Sequence, residues 1–411
     1  MGNPSSKINF NYRTMIYDMS NTKEKSIHIG INYPGTDAEL NGCVGDAIKL
    51  LALSVDLQIE DIVLAVDVDV DDPDILEKNT SRDARDAFWQ NKTDIDLMVP
   101  TRTNILRAIS NTVSDNSISS LFLTYSGHGT RGRQDYANSE ETDLRDEYIC
   151  TLGKNGIYKG SYASFISDDD LFNTINKAAE SRTSPIVITY IFDCCNSGTV
   201  FDLEHRFYKI DNRVRFETEP STTKRVLSPN VTISGWSGCQ DAQSSYETYN
   251  AINRIVEGVC TRSIVKVIRE MVIDSKEKPS QFALHCRAVD YMMSIDTFND
   301  DKIDISSSFQ VLNHSSSINI GMANDDQIIV SQKFVPGQAS DVSVATKDLV
   351  VKHPRSDYPY FDITDSAPDN GADDGSEDEG SEEGGEESNN ASNTGSQNKV
   401  KQLLEKWCVI I

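Results

Sequence analysis

Four short apolar runs, separated by stretches with helical spacing, constrain this chain more than any other feature. Ser26 to Asn32 alternates and stops at Tyr33-Pro34-Gly35, while Ile62 to Val66, Ser120 to Tyr125 and Pro185 to Phe192 are apolar almost throughout. A strand without a polar face is buried on both sides, and helices between such strands supply the cover. Apolar spacing predicts helices over Ala47 to Leu53, Thr103 to Val113 (capped by Thr101 or Thr103) and Asp168 to Ala179. The expected fold is α/β, a mainly parallel central sheet with helices on both faces, with ligands at the carboxyl ends of the strands. Further on, Val231 to Ser234 reads as a strand and Thr261 to Met271 as a helix. Residues 67–98, rich in Asp and Asn, read as loop.

Charge narrows the partners. The net charge of −25 over 411 residues repels phosphates and argues against nucleic acid. Twelve of the acids fall between Asp362 and Glu387, where there is no Lys or Arg. That stretch buries too little apolar surface to offset its ordering entropy, so residues 356–398 are expected to be a disordered acidic tail. The eight cysteines have no regular spacing, and no apolar run is long enough for a signal peptide or a membrane span. A reducing, cytoplasmic setting is expected, with free thiols. The remaining divisions are a polar lead-in at 1–24, a catalytic region at 25–204, a basic, irregular linker at 205–228, a second region at 229–355 and a last segment at 399–411.

Two of the apolar strands end in small-residue turns that carry a reactive group: Ser126-Gly127-His128-Gly129, and Asp193-Cys194-Cys195-Asn196-Ser197-Gly198. A thiol near neutrality needs an imidazole to become a thiolate, and glycines let backbone N–H groups approach a developing oxyanion. On neighbouring strands, Cys195 would be the nucleophile of a peptidase and His128 its base.

The SGHG turn, the DCCNSG turn and the upstream NYPG stretch running through Leu40-Asn41-Gly42-Cys43 to Asp46 resemble the metacaspases, caspase-like cysteine peptidases. The resemblance covers residues 25–200 and continues at Ile233 to Ser244, which is similar to the small-subunit motif of that family. It implies a caspase-hemoglobinase fold of compact type I arrangement, with Cys195 and His128 as the dyad and Cys194 as a structural neighbour. Asn196 departs from it, standing where His is common. The resemblance further implies a pocket for the residue before the cut made of Cys43, Asp46, Ser126 and Asp193. Two shielded carboxylates there suit an Arg or Lys side chain and repel an Asp. It also implies activation by calcium through Asp146, Asp168, Asp169 and Asp202, although Asp168 to Asp170 equally suit a helix amino terminus.

The basic residues Arg206, Lys209, Arg213, Arg215, Lys224 and Arg225 are candidate self-cleavage points. Gly2 fits a myristoylation pattern and Cys408 a prenylation box, so lipid would hold the otherwise monomeric chain at a membrane. Two rivals stand beside the peptidase. One is an idle, tethered binding protein of the same fold, in which nothing would require Cys195 and His128; the other is a paracaspase or legumain-like enzyme, and the acidic pocket fits a basic residue and gives no reason to choose Asn.

Overall fold

The apolar runs become neighbouring strands because each carries large side chains on both faces. Along the strand Ile118–Ser126, Leu121, Leu123 and Tyr125 face one apolar cluster and Phe122 the opposite one. The structure is a computed structural model that describes residues 23–133, 145–198, 200–201, 203–210, 213–218, 226–239, 245–277, 279, 281–295 and 310–317. In chain order the elements are β1 (Lys23–Gly30), α1 (Cys43–Asp56), β2 (Asp61–Val66), α2 (Pro73–Asn79), α3 (Arg82–Asn91), β3 (Ile95–Met98), α4 (Arg102–Ser114), β4 (Ile118–Ser126), β5 (Gly129–Arg133), β6 (Arg145–Ile149) and β7 (Ile166–Ser167). There follow α5 (Asp168–Ala179), β8 (Ile186–Asp193), β9 (His205–Ile210), β10 (Arg213–Thr218), β11 (Val231–Ser237), β12 (Glu247–Asn250), β13 (Ile255–Gly258), α6 (Val259–Ile268), α7 (Gln281–Met293) and β14 (Asn313–Ser316).

Among the described residues the main sheet runs β10-β9-β14-β11-β8-β4-β1-β2-β3. From β3 to β11 every pairing is parallel, and β14, β9 and β10 extend the sheet antiparallel. The chain departs from β1 toward both edges, so the carboxyl ends of β1 and β4 flank a switch point, where a sheet of this kind opens a crevice. Register fixes what stands there: Gly30 lies opposite Ser126, and Ser126 opposite Asp193. On one face Ile105, Ile109 and Val113 of α4 and Leu171 and Ile175 of α5 pack on the strands. On the other, Leu50 and Leu53 of α1 share a cluster with Trp236, Val259, Ile264 and Leu284.

Two expected irregular segments are regular. Residues 67–98 hold α2, α3 and β3: Asp72 caps Pro73 at the first helical position, and few apolar side chains (Val70, Leu76, Ala84, Phe88, Ile95) are buried there. So few buried positions in a run of acids leave the period invisible in the sequence. The 205–228 linker contains the antiparallel pair β9 and β10, whose Val214 and Phe216 alternate with Arg213, Arg215 and Glu217. Charge on an edge strand is a common guard against stray pairing, and here it hides the strand.

The helix over 168–179 falls as expected, with Ser167 as its cap in a reciprocal box with Asp170. No helix among the described residues is long and apolar enough to cross a membrane. Gly2, Cys408, Lys224, Arg225 and the acidic stretch 356–398 lie outside the described residues.

Candidate active site

The turns after β4 and β8 meet at their backbones. An added methyl group at Gly129 would lie 1.9 Å from the carbonyl oxygen of Cys195 and 3.3 Å from Cys194 Sγ, so only glycine admits this approach. His128 is 3% exposed and Cys195 1%. Nε2 of His128 donates to the Ala38 carbonyl at 2.9 Å, which leaves Nδ1 as the acceptor nitrogen, and Nδ1 has no hydrogen-bond partner. Burial lowers the imidazole pKa to about 4, against the opposing pull of the Ala38 bond and the Glu247 charge. The ring is therefore neutral at physiological pH, as a proton acceptor must be. Asn196 follows the thiol at φ 53°, in the left-handed region that Asn enters more readily than most residues. Its presence in place of His suits the turn.

Beside the Cys195 sulfur opens a pocket lined by Leu40, Cys43, Ser126, Gly127, Asp193, Ser245, Tyr246, Glu247 and Gly258. Asp46, fully buried, stands behind it and accepts from Ser126 Oγ at 3.0 Å and from the Gly258 N–H at 2.9 Å. Asp193 accepts from the Thr261 N–H at 2.8 Å and from the Ser245 hydroxyl. Both carboxylates converge on Gly258, where an added methyl group would sit 2.3 Å from one and 2.6 Å from the other. The four residues expected to form the pocket thus come together. Burial raises both carboxyl pKa values, and the Asp193 charge pushes Asp46 further up. A third acid, Glu247 on β12, accepts from the Gly42 N–H at 2.8 Å and from the Cys43 thiol at 3.3 Å. No motif marks Glu247, Ser245 or Gly258, and Glu247 lies 204 positions from the cysteine it touches. Glu257 is different: Lys49, Arg262 and Asn250 engage it beneath the pocket floor.

Residues 24–204 match the family model for the metacaspase, peptidase C14 domain. Over these residues the chain is similar to the metacaspases. It is 32% identical over 252 residues to a metacaspase-1 of Lodderomyces elongisporus, covering 59% of this chain and 44% of that protein. A metacaspase-1A of Neurospora crassa is 30% identical over 234 residues, 56% of this chain and 41% of the relative. A metacaspase-5 of Trypanosoma cruzi is 28% identical over 232 residues, 55% of this chain and 44% of the relative. The match therefore spans less than half the length of these curated relatives.

Of the acids that the metacaspase resemblance assigns to calcium, Asp146 lies on β6 and Asp168 and Asp169 open α5. The pairing of Tyr148 with Ser167 carries Asp146 toward that helix start. Asp146 and Asp168 are both buried, Asp146 accepts from the Tyr148 hydroxyl at 2.9 Å, and both charges help burial to raise the pKa of that phenol. Among the described residues no three His, Cys, Asp or Glu side chains stand close enough to hold a metal ion, and Asp202 lies outside them. Calcium needs six to eight oxygens, so the described acids do not by themselves make up its site.

Proposed function

We propose that this chain is a cysteine endopeptidase that cuts proteins after Arg or Lys, with Cys195 as nucleophile and His128 as base. The observation that carries this reading is the bare Nδ1 of a buried, neutral imidazole at the Cys195 turn, next to a pocket built from carboxylates. His128 Nδ1 takes the thiol proton, and Ala38 holds the opposite N–H so that the imidazolium keeps its orientation. The thiolate adds to the scissile carbonyl, whose oxyanion is met by N–H groups of the glycine-bearing turns. His128 then returns its proton to the leaving amine, and water, deprotonated by the same ring, hydrolyses the thioester.

The pocket explains the choice of residue before the cut. Asp46 and Asp193 are desolvated and Lys49 offsets this only in part, so a guanidinium or ammonium in the pocket relieves both acids further, while an Asp side chain adds repulsion. The test is hydrolysis of peptide reporters ending in Arg, Lys or Asp. We expect Arg and Lys to exceed Asp by about 100-fold or more in kcat/KM, and Cys195→Ala or His128→Ala to lower kcat by roughly 1,000-fold or more. Preference for Asp, or an active Cys195→Ala protein, would overturn the reading.

Calcium activation through Asp146, Asp168, Asp169 and Asp202 belongs to the same proposal. Its support is the burial of two carboxylates beside one phenol, a cost that a divalent cation offsets. Activity unchanged by a chelator removes it. Self-processing is proposed at Lys224 or Arg225, because Arg206, Lys209, Arg213 and Arg215 lie in paired strands that would have to leave the sheet to be cut. Mass spectrometry of the calcium-treated protein locates any cut, and one within 205–218 refutes this assignment. Lipid attachment at Gly2 or Cys408 rests on the terminal patterns and is tested by the intact mass of protein from cells.

A further inference from the structure

Tyr33 has a backbone that a bulky residue avoids. Its φ is 53°, in the left-handed region, yet the residue is 1% exposed and no glycine takes its place. Asp67, directly after β2, holds this conformation: its two oxygens accept from the Asn32 N–H at 2.9 Å and from the Tyr33 N–H at 2.6 Å. The Thr36 hydroxyl closes the turn by donating to the Tyr33 carbonyl at 2.8 Å.

What this geometry delivers is the side chain. Tyr33 Oη accepts from the His128 N–H at 2.9 Å and donates to the Cys150 carbonyl at 2.8 Å. The Tyr33 ring lies 4.9 Å from the imidazole centroid, tilted by 34°. Tyr125 takes the other side of the same residue, donating to the His128 carbonyl at 2.7 Å. The two phenols crowd Gly127, where an added methyl group would lie 2.6 Å from Tyr125 Oη and 2.9 Å from Tyr33 Oη. Ala38, which receives the Nε2 proton, sits in the same loop as Tyr33.

We propose that Tyr33, locked in a strained turn by Asp67, is a positioning residue that fixes the backbone and ring plane of His128 so that Nδ1 faces the thiol. The inference rests on the Cys195–His128 reading and extends it to residues that touch neither substrate nor sulfur. A misplaced base slows chemistry and leaves the pocket for the substrate side chain intact.

The test compares Tyr33→Phe, which keeps the ring and loses the phenol, with Asp67→Asn, which keeps Tyr33 and weakens its clamp. Steady-state kinetics on an Arg-ended peptide should show kcat reduced about 10- to 100-fold in Tyr33→Phe, with KM within about two-fold of wild type and a cooperative melting curve. Asp67→Asn should show the same split to a smaller degree, and it carries the test alone if Tyr33→Phe does not fold. Unchanged kcat in the folded variants beside an inactive Cys195→Ala protein overturns the positioning role. A fall in kcat no larger than the fall in folded, titratable enzyme overturns it too, since lost folded fraction lowers apparent kcat at constant KM. An active Cys195→Ala protein would instead remove the dyad itself.

Discussion

At the scale of single residues, the site is governed by groups held away from their usual protonation. His128 is neutral down to about pH 4 because water cannot reach it. Asp46 and Asp193 are shifted the opposite way: burial raises the pH at which each ionises, and the Asp193 charge adds to the shift of Asp46. On the proposed reading, protonation of these two acids as pH falls would weaken the binding of a basic substrate. The acid limb of kcat/KM for an Arg peptide is expected to report the carboxyl pair. In Asp193→Asn the remaining Asp46 loses its closest repulsion and its pKa falls, so activity drops overall while the acid limb moves to lower pH. A pH–rate profile checks this, and a limb that stays in place in Asp193→Asn counts against it. The residues that take part in this balance were legible in unequal measure. Asp46 and Asp193 sit in or beside recognisable turns, whereas Glu247 lies in an ordinary polar stretch and is drawn to Cys43 only by the path of the chain.

At the scale of elements, function depends on two strand ends approaching more closely than side chains allow. Gly129 opens β5 directly against the Cys195 carbonyl, and the neighbouring atom is backbone that cannot rotate away. Gly129→Ala must push β5 or the Cys195 turn aside. We expect about 1–3 kcal/mol of lost stability, the usual cost of overpacking, and at least about 100-fold lower kcat, because the dyad separates. Thermal melts and peptide hydrolysis measure the two effects. The elements buried on both faces, β4 and β8 above all, could be read from the sequence, since continuous apolar runs admit few other fates. The elements α2, α3, β9 and β10 could not. In α2 and α3 few side chains are buried, and the β9 and β10 sequences are rich in charge, so composition argues for loop where the chain forms helix and strand.

At the scale of the whole molecule, the stretch that matches the family model ends at residue 204, before β11. Yet β11 pairs with β8 along its length, and Phe122 and Ile191 share one apolar cluster with Trp236, Val259 and Ile264. Ser245, Glu247 and Gly258 complete the pocket. Residues 24–204 alone would expose a long apolar edge on β8 and half a core, so we expect that fragment to aggregate and to lack peptidase activity. Sedimentation and reporter hydrolysis test it, and a soluble, active fragment would show that the second half is dispensable. The sequence by itself determined the α/β layering, the strands that carry His128 and Cys195, and the acids near them, because apolar period and turn chemistry act over a few neighbouring residues. Only the tertiary structure decided that Tyr33 grips His128, that Glu247 enters the pocket, and that the segment after residue 204 joins the same sheet. Those contacts join positions tens to hundreds of residues apart, and their energies exist only once the sheet has brought the ends together.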